Sequence, residues 1–219
     1  MAVKDYMTKK VVYVSPDTTV AHATDIMREK SLRRLPVIEN DKLVGLVTEN
    51  TINEASPSKA SSLSIYEMNY LLNKTKIRDV MIRDVVTVSP YAELEEAVYE
   101  MIQHNVGVLP VVEGDQVYGI ITDKDIFKAF LEIAGFGQAG IRISLLSDDS
   151  IGVLEKVTDI LVAQELNIKR IVASTRKSGK VAIEIQVEGS CDHATLQQAI
   201  TAQGLEVEAI TTTQAKADF

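Results

Sequence analysis

A chain of 219 residues, of which 46% are hydrophobic and 25% are charged, has room for more than one hydrophobic core. Its net charge of −8 argues against a nucleic-acid partner, which would require a strongly local basic patch. The single cysteine, Cys191, excludes an internal disulfide, and no apolar run reaches the roughly 18–20 residues of a membrane span. We therefore expect a soluble, cytoplasmic protein with neither a nucleic-acid nor a membrane partner.

The N-terminal part of the chain repeats itself after 74 residues. Between Asp5 and Ile52, 17 of 48 positions are identical to the residues 74 places later, and no gap is needed. The shared stretches are Val-Ser-Pro at 14–16 and 88–90, Leu-Pro-Val at 35–37 and 109–111, and Gly-x-x-Thr at 45–48 and 119–122. A duplication is the economical explanation.

Both repeats predict the same order of elements. A β-branched segment, 11–14 or 85–88, ends at Ser-Pro, which stops a strand. The apolar spacing that follows predicts a helix over 19–30 or 93–104. Two short strands come next, at 35–38 and 43–47 or at 108–112 and 117–121, and a second helix closes the unit. Near-continuous apolar strands favour helices packed on a small sheet, which is an α/β arrangement.

The strand-to-helix corner at 119–125 carries the clearest chemistry. Thr122 is expected to cap a helix that begins at Asp123, which leaves backbone N–H groups at the positive end of the helix dipole for a phosphate. Asp125 could accept hydrogen bonds from a ribose diol, and Gly119 allows another backbone or a ligand to approach closely. A capped helix with an acidic first turn is the alternative interpretation.

A polar insert at 53–64, with Ser-Pro-Ser at 56–58, predicts a surface loop between the repeats. The helix after it aligns Tyr66, Tyr70 and Leu71 on one face, and core packing is favoured over a groove for a partner. Three glycines within 135–140 predict a linker.

Beyond the linker the periodicity predicts a separate domain. The expected elements are a strand at 141–146, a helix at 151–166, strands at 168–174 and 181–187, a helix at 192–202 and a strand at 205–210. This βαββαβ order is the ferredoxin-like, α+β plan. The predicted division is a first repeat (1–60), an inter-repeat helix and linker (61–76), a second repeat (77–134), a linker (135–140) and a C-terminal domain (141–212).

The two repeats, with their duplicated Gly-x-x-Thr motif, closely resemble a tandem pair of cystathionine-β-synthase (CBS) domains, the Bateman module. The resemblance implies a regulatory ligand that contains adenosine, such as AMP, ADP, ATP or S-adenosylmethionine, bound in a cleft between the repeats. Thr122 would meet the phosphate and Asp125 the ribose. The other implied contacts are Val12 and Ile120 beside the base, Gly119, and a facing wall of Arg33, Arg34, Leu35 and Pro36.

Arginine suits such a wall because its guanidinium offers a fixed fork of donors to a phosphate, although a solvated strand end is the alternative interpretation. The twin cleft keeps Thr48 but has Thr51 in place of Asp125, and its facing wall at 107–110 has no cation. The sequence therefore predicts one good nucleotide site per chain and one weak or empty cleft.

The stretch at 149–154 resembles the Asp-x-x-Gly-x-Leu turn of ACT domains. That resemblance implies a regulatory module in which Asp149, Ile151, Gly152 and Asn167 contact an amino acid, or a module that only dimerises. Two CBS repeats followed by an ACT domain are similar to the acetoin-utilisation (AcuB) family. This similarity implies a role around acetoin catabolism, and CBS and ACT domains together imply a homodimer.

An enzyme is the competing class, and the sequence does not favour it. The three histidines are spread over all three units, no cluster has metal-ligand spacing, and no Walker loop, Gly-x-Ser-x-Gly or Gly-x-Gly-x-x-Gly motif occurs. A DNA-binding regulator would need a helix-turn-helix with a basic face. We expect no catalytic residue, no metal and no catalytic cofactor. The remaining alternatives are a dimerising adaptor with vestigial clefts and a regulatory partner of a metabolic enzyme without a nucleotide response.

Overall fold

The computed structural model describes residues 1–55 and 64–216, so the predicted Ser-Pro-Ser loop at 56–58 lies outside the described residues. Its contacts divide the chain into two compact units, Met1–Phe127 and Lys128–Phe219.

The elements of the first unit follow the duplicated order. They are α1 (Val3–Tyr6), α2 (Val20–Lys30), β1 (Arg34–Glu39), β2 (Lys42–Thr48), α3 (Glu49–Ala55), α4 (Ile65–Lys74), α5 (Ile77–Val80), α6 (Leu94–Gln103), β3 (Val108–Glu113), β4 (Gln116–Thr122) and the start of α7 (Asp123–Ile133).

Local chemistry explains where these helices begin. Thr19 caps α2 because its hydroxyl accepts a hydrogen bond from the N–H of His22 at 3.2 Å.

The strands predicted at 11–14 and 85–88 are reduced to single parallel bridges, Val14 to Val37 and Val88 to Val111. The reason is that Ser-Pro follows each valine at once, so the pairing cannot extend toward the helix.

The four strands of the first unit form one sheet in the order β1-β2-β4-β3. Each repeat supplies an antiparallel pair, and the pairs meet at its centre, where Lys42 is opposite Gln116. The buried core of the first repeat includes Val20, Ala23, Leu35, Val37 and Val47. The sheet is therefore built from two equivalent halves side by side.

The first helix of each repeat packs on the other repeat. The N–H of Val3 in α1 donates to the carbonyl of Ala92, while the N–H of Ile77 in α5 donates to that of Thr18. Val3 and Ile77 are both fully buried. This exchange joins the two repeats into one module, because neither core is complete without a segment from its neighbour.

Helix α4 corrects one prediction from the sequence. Tyr66 is 86% exposed, Tyr70 62% and Leu71 40%, so this face does not pack into the core as predicted. The helix contacts α2 instead through its other side, where Leu72 packs against the core of the first repeat.

The second unit has the predicted βαββαβ order. Its elements after α7 are β5 (Gly140–Asp148), α8 (Val153–Ala163), β6 (Asn167–Thr175), β7 (Lys180–Glu188), α9 (His193–Ala202) and β8 (Glu206–Thr213). The sheet order is β6-β7-β5-β8, and every described pairing is antiparallel. One face of the sheet is buried against α8 and α9, since Ile143, Leu145 and Ile185 of the strands share a core with Leu161 and Leu196.

Candidate nucleotide-binding clefts

Thr122 and Asp125 form one hydrogen-bonded corner where β4 ends and α7 begins. The Thr122 hydroxyl accepts from the N–H of Asp125 at 3.4 Å, which is the predicted cap. In return, Oδ2 of Asp125 accepts from the N–H of Thr122 at 2.8 Å and from its hydroxyl at 2.7 Å. This reciprocal arrangement is a capping box with Asp125 at its third position. Both side-chain hydrogen bonds described for this carboxylate use Oδ2, which leaves Oδ1 without one among the described residues.

The twin corner is built in the same way with a hydroxyl in place of the carboxylate. Oγ1 of Thr51 accepts from the N–H of Thr48 at 2.9 Å and donates to the carbonyl of Thr48 at 2.9 Å. The N–H of Thr51 donates to the Thr48 hydroxyl at 3.1 Å. Because the single proton of Thr51 is already donated and the group carries no charge, this corner offers less to a ribose than Asp125 does.

Arg34 reaches from one corner toward the other. The register of β1 and β2 sets Arg34 opposite Thr48. Its Nη1 nevertheless donates to the carbonyl of Gly107 at 3.2 Å, and that carbonyl also accepts from the N–H of Asp123, the first residue of α7. The guanidinium therefore lies next to the positive end of α7, where an anion is favoured.

A cavity of about 320 Å³ lies beside Thr48. It is lined by Arg33, Arg34, Leu46, Thr48, Glu49, Asn50, Ile82, Asn105, Val106, Gly107 and Val108. The prediction that this cleft has no cation is wrong, because the β1–β2 pairing brings both arginines to the strand that ends at Thr48. Ile82 and Asn105 also line this cavity but were not predicted, because their counterparts in the first repeat, Thr8 and Ser31, carry no motif that would mark them.

Two members of the predicted facing wall are buried instead. Leu35 is fully buried in the core of the first repeat, so its side chain packs there and does not line a cleft. Pro36 is also buried, and its carbonyl accepts from the N–H of Val14 at 3.0 Å. Three consecutive residues of β1, from Leu35 to Val37, are buried, so this part of the strand is covered on both of its faces.

Gly119 and Ile120 pack against the N-terminal segment at Met7 and Thr8. The backbone of Ile120 exchanges two hydrogen bonds with Thr8, at 2.9 and 3.0 Å. A Cβ on Gly119 would lie 2.8 Å from the carbonyl oxygen of Thr8 and 2.7 Å from Sδ of Met7. The sequence left open whether another backbone or a ligand approaches Gly119, and in the structure it is the backbone of Thr8. Val12, four residues after Thr8, remains 37% exposed.

A second cavity, of about 310 Å³, lies in the C-terminal unit at the loop before α8. Asp149 and Gly152 line it together with Leu154 and Ile183. The backbone of Gly152 has a φ of +89°, which a glycine adopts without strain, and it forms the N-cap of α8. Ile151 is fully exposed, and Asn167 begins β6 opposite Glu188, so neither is among the residues that line this cavity.

Within residues 1–55 and 64–216, no group of His, Cys, Asp or Glu side chains is arranged to hold a metal ion. In the same part of the chain, no helix is long and apolar enough to cross a membrane.

Comparison with known families decides what the duplicated module is. The CBS domain family matches residues 3–58 and 77–132, which together make up just over half of the chain. The chain belongs to the CBS-domain family. The two corners described above, and the cavity beside Thr48, thus lie in a tandem CBS pair, which is a regulatory module.

Among curated relatives, inosine-5'-monophosphate dehydrogenase of Korarchaeum cryptofilum (strain OPF8) is 29% identical over 183 residues. The match covers 80% of this CBS-domain chain but 35% of that enzyme. The chain therefore spans about a third of that relative's length.

Two solved structures share the fold of this CBS-domain chain. One is described as an acetoin utilization protein (AcuB) from Vibrio cholerae, with 30% identity and a TM-score of 0.52, and the match covers 62% of this chain and 93% of that one. The other is CBSX2 in complex with AMP, with 28% identity and a TM-score of 0.50, covering 60% and 97%. A similar CBS pair therefore holds AMP.

Proposed function

We propose that this CBS-domain protein is a regulatory sensor that binds an adenosine nucleotide at the corner formed by Thr122 and Asp125. The observation that carries the proposal is the carboxylate of Asp125, whose described side-chain bonds use one oxygen and leave Oδ1 for the two hydroxyls of a ribose. The AMP complex of CBSX2 supports the choice of an adenosine ligand.

The rest of the proposed site follows from its neighbours. The phosphate would lie beside Arg34 at the N-terminus of α7, where the helix dipole and the guanidinium favour an anion. The N–H groups of this first turn already donate within the corner, the N–H of Lys124 to Asp123 among them, so the phosphate contact would come from Arg34. The base would lie near Ile120 and the segment from Thr8 to Val12, which the paired backbones hold in place. Arg34 would have to exchange its bond to the Gly107 carbonyl for one to the phosphate, so the ligand competes with a contact already present in the free protein.

Calorimetric titration with AMP, ADP, ATP and S-adenosylmethionine tests the proposal. Comparing the affinities of the first three shows which number of phosphates is preferred, and the fourth shows whether a phosphate is needed. At least one of the four is expected to bind below millimolar concentration, the weak end of useful affinity. If all four fail to bind, the protein is a dimerising adaptor with vestigial clefts or a partner that acts without a nucleotide.

For the C-terminal unit we propose an ACT domain that senses an amino acid or holds two chains together as a homodimer. Its βαββαβ order and the cavity at Asp149 and Gly152 support this. The likeness to the AcuB structure supports a place in acetoin catabolism. The same proposal keeps the division into repeats at 1–60 and 77–134 and an ACT domain at 141–212.

A further inference from the structure

A third cavity, of about 410 Å³, lies in the C-terminal unit away from the loop at Asp149. It is lined by Phe130, Ile133, Ala134, Arg142, Arg170, Val172, Glu184, Ile185 and Gln186. Its size is within the range of small-molecule sites. Of the described residues, none lines both this cavity and the one at Asp149.

Three strands set a polar row across the floor of this cavity. The register places Arg142 of β5 opposite Gln186 of β7, and Gln186 opposite Arg170 of β6. Side chains alternate along a strand, and Ile141, Ile143 and Ile185 belong to the core face, so this row lies on the other face of the sheet. Two guanidiniums thus flank one amide.

Two atoms of this row are buried without a hydrogen-bond partner among the described residues, Oε1 of Gln186 and Nε of Arg170. Gln186 is only 3% exposed, and its Nε2 is held by the hydroxyl of Thr213 at 2.9 Å. A native structure has few such atoms, and each requires an explanation.

A third unpaired atom, Oε1 of Gln138, lies near Arg170. It and Nε of Arg170 would each be 3.5 Å from a Cβ placed on Gly135. Pairing these two with each other would not satisfy Oε1 of Gln186. A bound molecule with a hydrogen-bond donor would satisfy Oε1 of Gln186.

The lining defines the ligand by its chemistry. Nε of Arg170 requires an acceptor, and Arg142, which also donates to the carbonyl of Ala134 at 2.8 Å, supplies a second guanidinium. The carboxylate of Glu184 lines the same cavity and accepts from the hydroxyl of Ser144, so the two guanidiniums leave an excess of positive charge that favours an anion. Oε1 of Gln186 requires a donor. Phe130, Ile133 and Val172 supply an apolar wall. We propose that this cavity binds a small carboxylic acid that carries a hydroxyl or amino group on the carbon next to the carboxylate and has an apolar side chain.

The test uses the full chain and three probes: 2-hydroxy-4-methylpentanoate, L-leucine and 4-methylpentanoate, which lacks the donor. Calorimetry should show millimolar or tighter binding of one of the first two, and which one binds identifies the hydroxyl or the amino form. The acid without the donor should bind at least about tenfold more weakly, because Gln186 then stays unpaired.

Variants locate the ligand. Arg170→Met and Gln186→Met should each weaken binding about tenfold or more, whereas Lys169→Met, which removes one exposed charge from the neighbouring position of β6, should not. Arg170→Lys keeps the charge without the planar fork and should also weaken binding, which covers the case that Arg170→Met does not fold. Failure of both donor-bearing acids to bind at millimolar concentration overturns the proposal. So does loss of binding in Asp149→Asn with retention in Arg170→Met, which would place the ligand at the loop.

Discussion

At the scale of single residues, the two corners differ at the position that closes the capping box, which is Asp125 in one corner and Thr51 in the other. Asp125 and Thr51 both close a capping box with the threonine three residues before them. The Asp125 carboxylate can accept further hydrogen bonds after it closes the box. The Thr51 hydroxyl already donates its one hydrogen bond to the Thr48 carbonyl. The two corners are therefore unequal in the hydrogen bonds that they can still offer a ligand once their own capping boxes are formed.

Arg34 gives a prediction that separates a phosphate contact from a general charge effect. Arg34→Met keeps the aliphatic length but removes the guanidinium beside α7, and we expect AMP to bind about tenfold or more weakly. The matched control is Arg33→Met, whose side chain is 82% exposed and 3.9 Å from Glu49. Equal losses in both variants, measured by calorimetry, would show that the phosphate does not single out Arg34.

The residues that could be predicted from the sequence are those fixed by local structure. Thr122 and Asp125 lie three residues apart at a strand-to-helix corner, so their pairing follows from the chain itself. Arg34 was predicted on the wall that faces Thr122 and Asp125, but the register of β1 and β2 sets it opposite Thr48. Register between strands is set by the packed sheet and was not readable from the repeat.

At the scale of elements, the exchange of α1 and α5 between the repeats depends on close approaches at Gly119 and Gly45, where a Cβ would lie 2.8 Å from the carbonyl oxygen of Thr8 and 2.9 Å from that of Ile82. Gly119→Ala should lower the free energy of unfolding by about 1–3 kcal/mol, because the added methyl meets a Thr8 carbonyl that is already bonded to Ile120. Urea unfolding measures this. Gly114→Ala is the control. A Cβ at this position meets no atom within 4 Å, so the substitution adds only the backbone strain of an alanine at a φ of +60°. A loss in Gly119→Ala no larger than in the control would contradict the packing argument.

Helix α9 gives a pH prediction. The hydroxyl and then the N–H of Thr195 donate to Asp192, which lowers the pKa of this carboxyl from its ordinary 3.8. A lowered folded pKa contributes stability that is present above 3.8 and is lost as the pH falls through the folded value. Asp192→Asn keeps a capping oxygen without the charge. The wild type should therefore be more stable than this variant at neutral pH, and urea unfolding should show the difference shrinking below about pH 4. A difference that does not change with pH would refute this assignment.

The order of elements was more predictable than their packing. The periodicity predicted α2, α6 and the whole βαββαβ unit, because one buried face repeats along each element. The same signal failed for α4, where Tyr66 and Tyr70 share a face that stays exposed. Periodicity shows that a face is apolar without showing what covers it.

At the scale of the whole molecule, the chain joins a CBS pair to a second compact unit, and we expect it to assemble as a homodimer. Tyr99, Ile102 and Phe127 on α6 and α7 are each more than half exposed, as is Val162 on α8. Single exposed apolar side chains are common on protein surfaces, so the expectation of a dimer rests on the resemblance to CBS and ACT domains. Light scattering at tens of micromolar should give twice the chain mass of 24.1 kDa. A mass equal to that of one chain would contradict the dimer.

The most direct test of the proposed sensor is a titration of AMP into three proteins side by side: wild type, Asp125→Thr and Thr51→Val. Asp125→Thr copies the residue of the twin corner, which closes its capping box without a carboxylate, so the fold should be kept while the ribose contact is lost. We predict one AMP per chain in the wild type, binding about ten- to a hundredfold weaker in Asp125→Thr, and little change in Thr51→Val. Two equivalent sites in the wild type, or a loss in Thr51→Val as large as in Asp125→Thr, would contradict the account.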